Sequence, residues 1–166
     1  MIDYTLKRSE RKTIVAYVRQ CPIVARDGNM VGYDKDCFYM PPDMSDKEVK
    51  SACVQIYKML ASRFLLKDTW IYAEMMKVFP IAIKITDSKA RWGSCSWKGS
   101  INYSWRLMMA EDSVIDYVVV HELAHIIQLN HSPKFWAIVE GVLPDYRNQK
   151  LKLKDLSKRL AAENWD

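Results

Sequence analysis

The chain has 166 residues, 49% of them hydrophobic and only five of them glycine, with a formal net charge of +5. That is enough apolar material to bury a core without disulfide staples, and too much for extended disorder. No stretch approaches the roughly 18 apolar residues of a membrane span, so no membrane role is expected.

The first residues, MIDYTLKRSERKTIVAYVR, carry a charge every few positions and lack the apolar core of a secretory signal. The four cysteines, Cys21, Cys37, Cys53 and Cys95, lie far apart with no CxxC pair. Reduced thiols in a soluble, cytoplasmic protein are therefore expected, with a Cys21–Cys37 disulfide as the less favoured alternative. A sequence pI near 9.0 is compatible with nucleic acid or a nucleotide as partner, and equally with an ordinary soluble protein.

One domain over residues 1–166 is expected, with a small sheet region at 1–42 and helices, a hairpin and the core of the site at 45–166. Apolar runs at residues 13–18, 22–25 and 37–40, with Asp27-Gly28-Asn29 between the second and third, predict a small antiparallel sheet. Ser45 stands three residues before Glu48, a capping-box spacing that opens a helix. Val49, Cys53, Ile56, Tyr57, Leu60 and Phe64 recur on one face of it. A second helix is expected from about Asp68 to Val78, stopped by Pro80. Ile81, Ile83 and Ile85 alternate as in a strand, and residues 91–105 read as a hairpin turning at Lys98-Gly99. Asp112 or Ser113 then caps a helix that is apolar almost all round and reaches about Leu129. Asn130 is expected to end it in the left-handed conformation. Ser132-Pro133 opens the next helix at once, and a basic helix follows Pro144.

All three histidines fall within eleven residues, as His121-Glu122-Leu123-Ala124-His125 and then His131. Two histidines four apart on a helix share a face and can share one zinc ion. Glu122 can reach a water on the metal without binding the metal itself, which is the place of a general base. The apolar flanks Val118-Val119-Val120 and Ile126-Ile127 speak against a solvated surface helix, because buried imidazoles need partners. A third ligand is required. His131 is preferred, since it lies just past the helix end, where the chain can fold back. Glu140 on the following helix competes. His-Glu-x-x-His-x₅-His is the metzincin spacing, but Gln128 stands where those enzymes have glycine.

Arg91-Trp92-Gly93-Ser94-Cys95, the segment from Tyr117 to His125, Asn130-His131-Ser132 and Phe135-Trp136 together resemble the YgjP-like metallopeptidase family, related to the SprT-like and Wss-type zincins. The resemblance is strong over residues 91–146 and looser over 7–79. It implies zinc ligands at His121, His125 and His131, one zinc per chain, and Glu122 as the catalytic residue. It also implies a strand over residues 91–96 lining the cleft, on which an extended peptide could add. The chain departs from the family pattern at Ser104, where asparagine is common, and at Glu111, where proline is common. The segment before the first helix also looks shorter than usual.

The expected fold is α+β and zincin-like, with a small antiparallel or mixed sheet packed on a central metal-binding helix. The expected activity is that of a zinc metallopeptidase acting on a peptide or protein. Arg91, Trp92 and Tyr103 are candidate substrate-binding residues. Arg91 is a possible partner for a carboxylate, phosphate or oxyanion, or else a structural ion pair. Tyr103 and Tyr117 are possible oxyanion donors, Trp92 and Trp136 more plausibly core, and Cys95 a buried structural thiol. Two alternatives stand. One is a nucleotide pyrophosphatase using Lys7, Arg8, Arg11, Lys12 and Arg91 on phosphates, although no Gly-rich phosphate loop is present. The other is a protease active only on DNA or within a complex, docked through the basic C-terminal helix.

Overall fold

The computed structural model describes residues 23–26, 28, 30–33 and 38–162. The apolar run at 13–18, the cations Lys7, Arg8, Arg11 and Lys12, and both cysteines of the possible Cys21–Cys37 pair lie outside these. Cys53 and Cys95 are free thiols. Contacts divide the chain into two compact units, Met1–Leu60 and Ala61–Asp166.

In the first unit, β1 (Ile23–Ala25), β2 (Gly32–Tyr33) and β3 (Phe38–Met40) form a sheet in the order β1-β3-β2. β2 pairs antiparallel to β3, but β1 pairs parallel to it, Ile23 opposite Phe38. The sheet is therefore mixed, where an antiparallel one was expected. Residues 26–37 supply the roughly one dozen residues that a parallel crossover needs, which a tight turn at Gly28 alone would not. The Tyr39 ring lies over Gly32, where a Cβ would have to displace the ring's outer end. Phe38 meets Tyr57 edge-on at 5.8 Å, and both are buried.

The capping box is formed as the spacing predicts. Ser45 N and Oγ both donate to Glu48 Oε2, at 2.8 and 2.6 Å, and Glu48 N donates to Ser45 Oγ at 3.4 Å. The helix it opens, α1, is one element of 31 residues, Asp46–Met76, where two helices were expected. Nothing between Phe64 and Asp68 breaks it, because the segment holds no glycine or proline and its buried positions continue at Leu65, Thr69 and Ala73. It ends in a Schellman closure rather than at Pro80. Lys77 is left-handed at φ 56, and Val78 N and Lys77 N donate to Ala73 O and Glu74 O at 2.9 and 3.2 Å.

In the second unit, β4 (Ala82–Thr86), β5 (Gly93–Cys95) and β6 (Ser100–Ser104) make a sheet in the order β4-β6-β5. β4 runs parallel to β6, and β5 pairs antiparallel with it, Gly93 opposite Tyr103. The predicted hairpin is there, turning through Gly99 at φ +84. Ser104, one of the two departures from the family pattern, is the cap of the next turn. Its Oγ accepts from Arg106 N at 3.3 Å and donates to Ser88 O at 2.7 Å, opening the 3-10 turn Trp105–Met109.

The helix α2 (Asp112–Ile127) follows, then α3 (Pro133–Val142) and α4 (Tyr146–Ala162). α2 is buried over Val114, Ile115, Tyr117–Val120 and Leu123–Ala124, and packs on β5, α3 and α4. Its N-cap is Glu111, not Asp112 or Ser113, and no side chain caps it. Tertiary contacts claim both side chains instead: Ser113 Oγ donates to Gln149 Oε1 at 2.9 Å, and Lys152 Nζ donates to Glu111 Oε2 at 2.7 Å. No helix among the described residues is long and apolar enough to cross a membrane.

Candidate active site

α2 closes at Ile127, with Gln128 extended at φ −139 and its N–H donating to Ala124 O at 2.9 Å. Asn130 does not take the left-handed conformation, since Lys77 is the one non-glycine with positive φ among the described residues. It shapes the loop through its side chain. Asn130 Oδ1 accepts from Gln128 Nε2 at 2.8 Å and from Ser132 N at 3.3 Å. This brace folds the chain back directly after the helix and turns His131 toward it.

The three imidazoles converge. One ring nitrogen from each of His121, His125 and His131 lies within 4.8 Å of the others. His121 Nε2 and His131 Nε2 are 3.1 Å apart. Zinc–nitrogen bonds of about 2.1 Å in a tetrahedron put nitrogens about 3.4 Å apart, so the set fits one tetrahedral ion with a fourth position left over. His125 Nδ1 faces Gln128 O at 3.3 Å, a contact that directs its Nε2 inward. At 3.1 Å an N–H of one ring can donate to the nitrogen of the other, which engages only two of the three imidazoles. A cation satisfies all three.

Burial favours the neutral rings that a metal needs. His121 is pushed down from 6.5 to about 3, chiefly by burial, then by the charges of His125, His131 and Lys150. His125 is lowered too, first by burial. Phe135, fully buried on α3, is the common wall. Its ring centroid lies 4.8, 4.5 and 4.7 Å from those of His121, His125 and His131. Trp136 lies 5.9 Å from His121 and 5.7 Å from His131.

Glu122 is buried beside this cluster without being part of it. Burial alone raises its carboxyl from 4.5 to about 7. What covers it is the backbone of β5: a Cβ on Gly93 would lie 2.6 Å from Glu122 Oε1 and 2.7 Å from its Cγ. Only glycine lets the edge strand approach the carboxylate so closely. Within the stretch 91–96, where a strand was implied, β5 thus covers Gly93–Cys95 and lies against α2.

The other candidates separate. Glu140 stands outside the cluster and is paired with Arg147 at 3.0 Å, so His131 and not Glu140 completes the set. Tyr103 is fully buried, its hydroxyl bonded to Thr69 Oγ1 at 3.2 Å and its pKa raised by burial; it is a core residue here. Tyr117 is buried as well, edge-on to His121 at 5.8 Å, and pushed up to about 12 by burial. Trp92 is half-buried, with Nε1 donating to Ser157 Oγ at 2.9 Å. Arg91 is exposed and lines a cavity of about 410 Å³ with Lys89, Arg106 and Ser157, none of its walls being a histidine of the cluster. Cys95, half-buried on β5, donates Sγ–H to Ser96 O at 3.4 Å, and burial raises its thiol to about 11.

Two residues at the site went without a role in the sequence reading. Phe135 entered it only as half of the Phe135-Trp136 pair that helps to carry the family resemblance. Gly93 had a better signal, a glycine inside a strand, which points to close backbone approach.

None of the curated proteins compared with the chain matches it. Among solved structures it is similar to the crystal structure of the metallopeptidase zymogen of Pyrococcus abyssi abylysin, at 22% identity and a TM-score of 0.47, over 61% of this chain and 95% of that one. The model of the YgjP-like metallopeptidase domain matches residues 7–156, and the chain belongs to that family.

Proposed function

We propose that this chain is a zinc peptidase in which His121, His125 and His131 hold one zinc ion and Glu122 is the general base. The observation that carries the reading is the convergence of three imidazoles beside a buried carboxyl raised to about 7. Zinc, when bound, supplies Lewis acidity at the carbonyl to be cleaved. Glu122 takes a proton from the attacking water and returns it to the leaving amine. The outer edge of β5 has no strand partner among the described residues, so it can hold an extended peptide by backbone hydrogen bonds above Glu122. Among those residues there is no second cluster of metal-ligating side chains, so two-metal phosphoryl chemistry finds no support.

The test is metal content and peptide hydrolysis for the wild type, H131A and E122Q purified side by side. About one zinc per chain is expected in the wild type and E122Q, and much less in H131A. Hydrolysis should fall at least about 10²-fold in E122Q, the usual contribution of a general base. Absence of zinc in the wild type after zinc is supplied, or full activity in E122Q, would overturn the reading.

A further inference from the structure

Beside the candidate metal centre a groove of about 840 Å³ is bounded by α4, by Tyr117 of α2 and Trp136 of α3, and by Trp92. Its walls include Tyr117, Trp136 and Tyr146, with Arg147, Lys150 and Lys154 along one side, and no carboxylate lines it. The three cations stand at intervals of three and four residues on α4, so they form one stripe. Lys150 and Lys154 take part in no ion pair among the described residues, whereas Arg147 is paired with Glu140. The Lys150 ammonium sits 4.4 Å from the centroid of the Trp136 ring.

The groove and the metal centre share a wall, since Trp136 lies 5.7 Å from the His131 ring and Tyr117 lies 5.8 Å from His121. A ligand group in the groove would therefore belong to a substrate residue close to the bond being cut.

We propose that this groove is the specificity subsite of the enzyme and holds an acidic side chain of a peptide substrate, with Lys150 as its main contact and Lys154 beside it. The inference rests on the peptidase reading above. Charge complementarity is its first support, because a cationic wall without a single carboxylate is electrostatically open to an anion. The aromatic residues point to a peptide rather than to stacked nucleobases. Trp136 is already stacked on Tyr146 at 5.3 Å, tilted 15°, and is covered by Lys150. Tyr146 is further engaged by Tyr117 at 6.5 Å and by Arg147 at 5.0 Å. The faces of Trp136 and Tyr146 that a base would need beside Lys150 are thus engaged, and what is left there is a cation at the rim of an apolar wall. A glutamate or aspartate fits that, its methylenes on the rings and its carboxylate on the ammonium.

The experiment measures binding by zinc-supplied E122Q of two fluorescent peptides that differ only in one glutamate against glutamine, using anisotropy at low salt. The glutamate peptide is expected to bind about tenfold more tightly, as for a close charge pair of modest strength. K150Q on the same background should remove most of that preference and K150R should keep it. K158Q, on α4 but paired with Asp155 and outside the groove, should change nothing. Equal binding of the two peptides, or an undiminished preference in a K150Q/K154Q double variant, overturns the proposal. So does binding of a single-stranded oligonucleotide that is lost in K150Q while the peptides show no charge preference. If the preference appears as expected but the wild type cleaves neither peptide, the peptidase reading fails while the acidic-peptide site stands.

Discussion

α2 and α4 are helices of 16 and 17 residues in the same unit, and they treat charge in opposite ways. α2 carries Glu122, His121 and His125 into or against the core, and the proton affinity of all three is displaced, first of all by burial. α4 keeps its apolar face on Tyr146, Gln149 and Leu156 and leaves Arg147, Lys150, Lys154 and Lys158 in solvent. Desolvation turns an ordinary side chain into a reactive one at a cost to the fold, while exposure leaves a charge free to meet a partner and worth little to stability. The first arrangement makes chemistry and the second makes recognition.

The largest effect should come from the buried carboxyl. A carboxyl raised in the fold binds its proton more tightly in the native chain than in the unfolded one. Stability is therefore lost as pH rises from about 4.5 to about 7, and the loss is complete above that. In zinc-free protein, E122Q should be the more stable chain in mildly alkaline buffer, by on the order of 3 kcal/mol, with the gap closing in acid. His121 has the opposite sign: its folded pKa is lowered, so stability is lost as pH falls from 6.5 toward about 3. That loss is common to both chains and cancels between them. Urea unfolding of the pair across this range decides the matter, and a gap independent of pH would break the contrast drawn between the two helices.

A smaller effect is expected where β5 covers α2. G93A must displace the Glu122 carboxylate or the strand, and should cost about 1–3 kcal/mol, the usual range for an overpacked contact. Thermal unfolding measures it. Zinc content should survive, while hydrolysis should fall by more than the folded fraction explains. Unchanged activity in a folded G93A would mean that β5 does not hold Glu122 in place. The smallest effect belongs to the pair Lys152–Glu111 at 2.7 Å, which ties α4 to the start of α2. Both side chains are some 40–50% exposed, so K152A should change stability by less than about 1 kcal/mol, and less still in high salt. A loss as large as that of G93A would show that exposed and buried charges are not so different here.

Much of this was legible from residue order because it depends on local spacing. Ser45 and Glu48 marked a helix start through bonds that span only three residues. The apolar run from Val114 to Val120 marked a buried helix, and the four-residue step from His121 to His125 marked a shared face. Where local rules misled, a distant partner had intervened. Ser113 and Glu111 serve Gln149 and Lys152 rather than the helix end. Asn130 braces its loop with a side chain rather than a left-handed backbone. Leu65 and Thr69 carry α1 through the segment where two helices were expected.

What the sequence determined by itself, then, was the placement of His121, Glu122 and His125 relative to one another, since a helix of 3.6 residues per turn fixes it whatever surrounds it. That His131 rather than Glu140 joins the other two imidazoles was decided by the tertiary structure. So were the burial that moves Glu122 to about 7 and the approach of Gly93 to its carboxylate. Each depends on which surfaces of α2, α3 and β5 meet, and dielectric surroundings and interatomic contact are properties of packing, not of order along the chain.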